Sequence, residues 1–396
     1  MRPLKLALIA GEPSGDALGA KLIGALRQLS GDQVTFVGVG GPRMEAAGLE
    51  SAFPLSEVAV MGILPVLARL PRIFAHISSA AEHVIAARPD GLVLIDSPDF
   101  THRVARRVRA RLPDLPVIDY VSPTVWAWRP GRARKMKAYV DKVLALLPFE
   151  PAAHERLGGP PCVYVGHPLI ERLAELRPNA EEAARRAARP PVVLVLPGSR
   201  RAEVARLMPE FGAALGALSD TIGPFDIVLP TLPHLHADVT ARAASWPAAP
   251  RLLISEADKF AAYRTARAAL VASGTATLEV ALAGVPLVGA YKVSRLEEPL
   301  KHFITVPSIL LPNLILEERA IPEFLQHDCT PGPLAVAMAG ILVDGPERVA
   351  QLAALGRLDS RMRLPGDEPP SHAAARETLA TVRARMAERG YDSAAR

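Results

Sequence analysis

Cysteine is scarce in this chain of 396 residues, which contains only Cys162 and Cys329. The two are far apart, with no CxxC spacing and no nearby group of histidines, so the sequence predicts neither a disulfide framework nor a zinc site and suits a reducing cytoplasm. Long hydrophobic runs are also missing, since no stretch reaches the roughly 20 apolar residues of a spanning helix. The apolar run Leu4–Ala10 is followed at once by Glu12 and Asp16, which favours a first strand over a signal peptide.

The net charge of the chain is only +5, but one part of the chain has few acidic residues and many basic ones. Residues 101–140 hold ten lysines and arginines against Asp114 and Asp119. Such a basic run could face nucleic acid, an anionic membrane or a phosphorylated substrate. No zinc finger or other nucleic-acid motif accompanies it, so we expect no nucleic-acid partner.

Short apolar runs alternate with segments of helical period along the whole chain. This order predicts an α/β protein with parallel sheets, and the length predicts two Rossmann-type, doubly wound domains. We expect an N-terminal domain over 1–168 and a second domain over 169–363, with the strand ends of both facing a shared cleft. A proline-rich break precedes a last amphipathic helix in 364–396.

Two turns in the second half are typical of phosphate sites. In VVLVLPGSRRAEV the predicted strand Val192–Leu196 stops at Pro197-Gly198-Ser199, and a helix opens with Arg200, Arg201 and Glu203. Ser273-Gly274-Thr275 follows the strand ALVA. Helix-start N–H groups and an arginine bind phosphate oxygens, and Glu279 is well placed for ribose hydroxyls. Ordinary strand-to-helix corners remain the alternative reading.

Two turns in the first half also carry polar residues after a strand. In the first, GEPSGD, the candidates are Glu12, Ser14, Gly15 and Asp16. This turn lacks the G-x-G-x-x-G pattern, so it does not predict dinucleotide binding, and helix capping by Ser14 or Asp16 is the alternative.

The second of these turns, IDSPDF, places Asp96 after the strand GLVLI. A carboxylate at the carboxyl end of a strand can take a proton from an acceptor hydroxyl, so Asp96 is the candidate general base. A helix cap at Asp96 or Asp99 is the competing interpretation.

The segment 58–74 is strongly apolar and is interrupted by prolines. It resembles an element that dips into a bilayer, although burial in a core stays open. The residues proposed for this contact are Val66, Leu67, Arg69, Leu70 and Arg72. For Trp126 and Trp128, beside the basic run, a cleft wall, core packing and interfacial anchoring all remain open.

Ten short motifs, taken together, resemble the lipid-A-disaccharide synthase family of glycosyltransferases (family 19). They run in order from residue 10 to residue 313: AGEPSGD, FVGVGGPRM, AVMGILPVL, IDSPDF, YVSPTVWAW, LPFE, VGHP, LPGSR, ASGTATLE and LPN. The resemblance implies a two-domain GT-B fold. It further implies a UDP-2,3-diacylglucosamine donor and a 2,3-diacylglucosamine 1-phosphate acceptor (lipid X), joined to a β-1,6 disaccharide 1-phosphate with release of UDP.

The same resemblance assigns roles to individual residues. Asp96 matches the position of the base, Arg200 the arginine facing the diphosphate and Glu279 the nucleotide-side carboxylate, while Asn313 of LPN is a further residue of the nucleotide half. No metal and no cofactor is implied. The second arginine, Arg201, departs from the pattern and leaves the division of roles with Arg200 open.

The resemblance also bears on location and assembly. An enzyme acting on diacylated substrates would lie on the cytoplasmic face of the inner membrane as a peripheral protein, held there by 58–74 and the basic run. Family members exchange C-terminal segments between subunits, so 364–396 would either pack back on its own N-terminal domain or form a homodimer.

Two other functions compete with this interpretation. Another GT-B enzyme on UDP-GlcNAc, either a transferase or a 2-epimerase, would need no apolar 58–74 segment. A non-catalytic protein that binds nucleotide sugars or lipids would need no carboxylate at Asp96.

Overall fold

The computed structural model describes residues 3–31, 33–58, 63–294 and 306–388, and for 63–70 it describes the backbone alone. The chain divides into two compact units. One consists of Met1–Pro168 together with Arg363–Arg396, and the other of Leu169–Met362. Each unit contains one parallel sheet with helices between successive strands.

The first unit is built on a seven-stranded sheet with the order β3-β2-β1-β4-β5-β6-β7. Its strands are β1 Leu4–Ala10, β2 Val34–Val39, β3 Leu49–Ser51, β4 Gly91–Ile95, β5 Val117–Tyr120, β6 Lys142–Ala145 and β7 Cys162–Tyr164. The helices between them are α1 Pro13–Ser30, α2 Pro42–Ala46, α3 Ile63–Ala87, α4 Pro98–Arg111, α5 Gly131–Met136 and α6 Glu150–Arg156.

Both faces of this sheet are covered, which explains why β1 is apolar at almost every position. Leu6 and Leu8 pack with residues of α1, whereas Ala7 and Ile9 pack with residues of α3 and α4. Successive side chains of a strand point to opposite faces, so a strand between two helical layers has to be apolar throughout.

The second unit has a six-stranded sheet with the order β10-β9-β8-β11-β12-β13. Its strands are β8 Val192–Leu196, β9 Asp226–Pro230, β10 Arg251–Leu253, β11 Ala268–Ala272, β12 Leu287–Tyr291 and β13 Glu323–Leu325. Its helices are α7 Leu173–Leu176, α8 Ala180–Ala187, α9 Arg201–Ile222, α10 His236–Ala243, α11 Glu256–Thr265, α12 Thr275–Leu282, α13 Leu311–Leu316, α14 Pro331–Leu342, α15 Pro346–Gly356 and α16 Leu358–Met362.

The strand order reverses once in each sheet, next to the first strand of each unit. In the first sheet β1 pairs with β4, and in the second β8 pairs with β11. Ligands of open α/β sheets bind outside the carboxyl ends of the strands at such a switch point. The turns after these four strands are the ones that the sequence analysis singled out.

The last helix, α17 (Pro370–Glu388), belongs to the first unit. Ala373, Leu379 and Val382 join the same buried cluster as the residues of α1, and Glu377 accepts a hydrogen bond from the ammonium of Lys142 at 2.6 Å. The C-terminal helix therefore packs on the N-terminal sheet of its own chain.

Within the part of the chain that the structure describes, no helix is both long and apolar enough to cross a membrane.

Candidate functional site

A cavity of about 570 Å³ lies at the carboxyl ends of β8 to β11 in the second unit. Its volume falls in the range of small-molecule sites. Six of the candidate residues line it: Ser199, Arg200, Ser273, Gly274, Thr275 and Glu279. The two turns that resemble phosphate sites thus meet in one cavity because β8 and β11 are neighbours.

In the turn between β8 and α9, the side chain of Glu203 binds two of the backbone N–H groups. The Glu203 carboxylate accepts hydrogen bonds from the N–H groups of Ser199 at 3.0 Å and Arg200 at 3.3 Å. Its other oxygen accepts a hydrogen bond from the Arg200 guanidinium at 2.8 Å. An acidic residue at this position favours the helix, and it already fills the place expected for an anion.

The turn between β11 and α12 is more open. Gly274 precedes the helix with φ 151°, a conformation that L side chains rarely adopt. Among the described residues, no side chain caps this helix. Since the first N–H groups of a helix lack partners within it, α12 offers the better anion site of the two turns.

Glu279 lies on α12 beside two residues of α11 that the sequence analysis missed. Its Oε2 accepts hydrogen bonds from Lys259 Nζ at 3.0 Å and from the Tyr263 hydroxyl at 2.9 Å. Burial, followed by the charge of Glu279, raises the pKa of Tyr263 well above its ordinary value. The i, i+4 spacing puts Lys259 and Tyr263 on one face of α11. That both bind Glu279 of α12 is visible only in the tertiary structure.

Asn313 does not line this cavity. Its side chain is buried and its amide is fully engaged, donating to Ser308 Oγ at 3.2 Å and to the Ile321 carbonyl at 2.9 Å. The amide oxygen accepts from the Ile321 N–H at 2.9 Å. In this structure Asn313 therefore fixes the loop after α13.

In the first unit, Asp96 is held in a defined position at the carboxyl end of β4. Its Oδ1 accepts a hydrogen bond from the Ser97 N–H at 2.7 Å, and its Oδ2 accepts one from Ser14 Oγ at 2.9 Å. Asp96 has φ 58° and Ser97 has φ 45°. Two successive non-glycine residues in the left-handed region are strained, and such strain is typical of functional sites.

The helix-cap interpretation of Asp96 and Asp99 does not describe the structure. Ser97 is the N-cap residue of α4, and no side chain in the described part of the chain caps it. Asp99 lies in the first turn of α4 and forms an exposed ion pair with Arg132 at 2.7 Å.

The GEPSGD turn lies directly beside Asp96. Glu12 is the N-cap residue of α1, and Ser14, in the first turn, reaches Asp96 with its hydroxyl. A Cβ atom at Gly15 would lie 3.0 Å from the carbonyl oxygen of Ile95, so glycine lets α1 approach β4 closely. The two turns of the first unit are brought together in this way.

Asp16 caps a helix, although not its own as the sequence suggested. Its buried carboxylate accepts hydrogen bonds from the N–H groups of Gly41, Arg43 and Met44 at 2.9 to 3.1 Å. These residues lie at the start of α2. Asp16 is therefore committed to joining α1 to α2.

The Trp126 loop follows β5 and is anchored by a buried acid. Glu150 accepts hydrogen bonds from Trp126 Nε1 at 3.0 Å and from the Leu147 N–H at 2.9 Å. The Trp126 ring also meets Phe149 edge to face. Burial raises the pKa of Glu150 from 4.5 to about 7.

The raised pKa of Glu150 predicts a pH-dependent stability. Between pH 4.5 and about 7 the folded protein retains a proton on Glu150 that the unfolded chain releases, so the contribution of Glu150 to the free energy of unfolding falls as the pH rises through this window. At 1.36 kcal/mol per pKa unit, the loss amounts to at most about 3 kcal/mol. The lowered pKa values of His154 and His167 act in the opposite direction, so the contribution of Glu150 has to be measured by difference. Glu150→Gln removes this contribution, so in urea unfolding its free energy of unfolding should rise more, or fall less, between pH 4.5 and 7 than that of the wild type.

Glu155→Gln is the matched control, because Glu155 is an exposed glutamate on the same helix. It should leave the pH profile of stability as in the wild type. Equal pH slopes for the wild type and Glu150→Gln would contradict the prediction.

The proposed membrane segment is described only in part. The side chains of Val66, Leu67, Arg69 and Leu70 lie outside the described residues, while Arg72 is exposed on α3. Further along this helix, the Phe74 ring is 42% exposed and has the guanidinium of Arg103 5.3 Å from its centroid.

The basic run is not a uniform patch, because several of its arginines are committed within the fold. Arg106 donates to the Tyr139 hydroxyl at 3.2 Å, Arg109 pairs with Asp141, and Arg132 pairs with Asp99.

Comparison with known sequences identifies close relatives over almost the whole chain. Residues 6–358 match the family model described as Lipid-A-disaccharide synthetase. The lipid-A-disaccharide synthase of Nitrobacter winogradskyi is 55% identical over 386 residues, covering 96% of this chain and 97% of the relative. That of Bradyrhizobium diazoefficiens is 55% identical over 380 residues, with the same coverage.

Comparison with solved structures concerns the fold alone, because the identities are low. MurG of Acinetobacter baumannii superposes with a TM-score of 0.57 at 16% identity, covering 96% of this chain and all of that one. The S. aureus MnaA–UDP structure gives a TM-score of 0.61 at 13% identity, covering 97% of each chain. The predicted fold class, two doubly wound parallel-sheet domains of the GT-B type, is confirmed.

Proposed function

The chain belongs to the lipid-A-disaccharide synthase family, and from this membership we propose which of its residues carry out the glycosyl transfer. It is a glycosyltransferase of lipid A disaccharide synthesis. The proposed donor is UDP-2,3-diacylglucosamine, and the proposed acceptor is 2,3-diacylglucosamine 1-phosphate.

We assign the UDP moiety to the cavity of the second unit, and the convergence of six candidate residues on this one cavity carries the proposal. The uncapped start of α12, at Gly274 and Thr275, would donate N–H groups to the diphosphate. Arg200 would turn its guanidinium from Glu203 to a phosphate oxygen, and Glu279 would accept a hydrogen bond from a ribose hydroxyl. These contacts stabilise the charge that develops on the departing UDP.

We assign the proton transfer to Asp96. The donor is α-linked and the product β-linked, so the acceptor 6-hydroxyl attacks the anomeric carbon in one displacement as the bond to UDP breaks. The Asp96 carboxylate takes the hydroxyl proton, and its bonds to Ser14 and Ser97 hold it in place for this step.

The deciding experiment gives the purified protein both acylated substrates and measures UDP and disaccharide together. Equal amounts of UDP and β-1,6-linked disaccharide 1-phosphate support the proposal. Acceptor-independent turnover of unacylated UDP-GlcNAc would indicate a 2-epimerase, and UDP binding without turnover would indicate a binding protein.

We further propose that the enzyme is peripheral on the cytoplasmic face of the inner membrane, where its diacylated substrates lie. The exposed Phe74 ring with the guanidinium of Arg103 5.3 Å from its centroid, and the exposed Arg72 on the same helix, supply the apolar and basic groups that favour an anionic lipid surface.

Replacing Val66, Leu67 and Leu70 by serine should move the protein from sedimented anionic vesicles to the supernatant without lowering its melting temperature, if these side chains enter lipid. Leu29→Ser is the control. Leu29 is 45% exposed and lies on α1, which covers the opposite face of the sheet from α3. A triple variant that melts many degrees lower would place the three residues in a core instead.

A homodimer formed by exchange of 364–396 stays a prediction. It would require α17 to pack on the partner's α1 in the way that it packs on α1 of its own chain.

A further inference from the structure

The carboxylate of Glu279 is held through its Oε2 oxygen. Lys259 Nζ and the Tyr263 hydroxyl both donate to Oε2, at 3.0 and 2.9 Å. Within the described part of the chain, no hydrogen bond to Oε1 is formed. The two donors therefore fix the carboxylate while one of its oxygens stays available to a ligand.

The two donors are themselves firmly placed. The Tyr263 side chain is 1% exposed, and its ring packs beside that of Phe260. Its phenol remains protonated, and therefore a donor, because burial raises its pKa well above the ordinary value. The ammonium of Lys259 contacts the faces of the same two rings, at 4.8 Å from the Phe260 centroid and 5.6 Å from that of Tyr263.

We propose that Lys259 and Tyr263 are positioning residues that hold Glu279 Oε2 so that Oε1 can accept a hydrogen bond from a ribose hydroxyl of the nucleotide. This rests on the proposed contact of Glu279 with the ribose. A free glutamate has several rotamers, and binding the nucleotide would restrict it to one; the two donors impose that restriction before binding.

Lys259 also lines the cavity, so a direct contact with the diphosphate is the competing role for its charge. The geometry favours the positioning role, because the ammonium is engaged by Glu279 and covered on one side by the two rings. The two roles differ in which part of the nucleotide they affect, and this difference can be measured.

The experiment compares the affinities for UDP and for 2′,3′-dideoxy-UDP, measured by calorimetry on the full-length protein. Tyr263→Phe removes one oxygen and keeps the buried ring, and Lys259→Met removes the charge and keeps most of the stem. Each variant should bind UDP about 3- to 10-fold more weakly, less than the loss of a direct hydrogen bond to a charged group. Each should bind the dideoxy analogue within about twofold of the wild type, and Lys259→Arg should restore most of the UDP affinity.

Two controls in the first unit match these variants. Tyr139→Phe removes another buried, hydrogen-bonded tyrosine hydroxyl, and Lys142→Met breaks the ion pair with Glu377. The lysines match in burial, with side chains 25% exposed for Lys142 and 26% for Lys259. Neither control should change the affinity for either nucleotide.

The measurements test the positioning role of Lys259 and Tyr263 separately from the ribose contact of Glu279. Equal weakening for both nucleotides would assign Lys259 to the phosphates and overturn the positioning role. Wild-type affinity for UDP in both variants would overturn it as well. A wild type that does not distinguish the two nucleotides would reject the ribose contact of Glu279, and the inference would fall with it.

Discussion

Replacing Asp96 by asparagine should lower kcat by about 10²–10⁴-fold, the usual scale of general-base catalysis, while UDP affinity stays within about twofold of the wild type. Asparagine keeps the shape of the side chain and tolerates the left-handed backbone at this position. Its amide oxygen can accept from the Ser97 N–H and its amide nitrogen can donate to Ser14 Oγ. The turn should therefore keep its geometry while the proton acceptor is lost.

Asp99→Asn is the matched control for this variant. Asp99 lies in the same turn, but its side chain is 82% exposed and pairs with Arg132 at the surface. The kcat of Asp99→Asn should remain near that of the wild type, because an exposed ion pair contributes little to the stability of the turn. Near wild-type turnover of Asp96→Asn would reject the assignment of the base.

Arg200→Ala should weaken UDP binding by about 1.5–3 kcal/mol, the range for a hydrogen bond to a charged group. The guanidinium lies at the cavity and is 69% exposed, so it can leave Glu203 for a phosphate. The helix start should survive the change, because Glu203 still accepts from the N–H groups of Ser199 and of residue 200.

Arg201→Ala provides the comparison for this measurement. Arg201 is the first residue of α9 and, instead of lining the cavity, reaches the carbonyl of His234 with its guanidinium. Arg201→Ala should therefore lower the affinity for UDP less than Arg200→Ala does. Unchanged affinity of Arg200→Ala in calorimetry would refute the diphosphate contact.

The strands that flank the switch points, β1, β4, β8 and β11, could be predicted to the residue, whereas the outer strands were predicted less accurately. The runs at Leu4–Ala10 and Val192–Leu196 coincide with β1 and β8, because strands covered on both faces must be apolar throughout. Among the edge strands, β7 and β10 were predicted within one residue, as Val163–Val165 and Arg251–Ile254, whereas the three-residue strands β3 and β13 were missed. The sequence pattern predicts a helix only over 76–88, because Pro65 and Pro71 interrupt the apolar segment 58–74, whereas α3 begins at Ile63 and passes through Pro71.

The turns that carry the candidate residues could also be predicted, because polar residues after apolar strands are visible in the sequence. Asp96, Arg200 and Glu279 all follow this rule. The sequence could not decide whether these polar residues cap a helix or face the site. Whether Asp16 or Asp96 caps a helix depends on neighbours that lie far away in the sequence.

By itself the sequence determined the parallel α/β class, the family and the turns that carry the site, because these follow from periodicity and from residues adjacent in the chain. Only the tertiary structure decided which side chains form hydrogen bonds with the candidate residues. Strand order brings Ser14 to Asp96 across 82 residues and places α11 beside α12, so that Lys259 and Tyr263 meet Glu279. Such hydrogen bonds join residues from different elements, and their formation depends on how the sheet is assembled rather than on any local pattern.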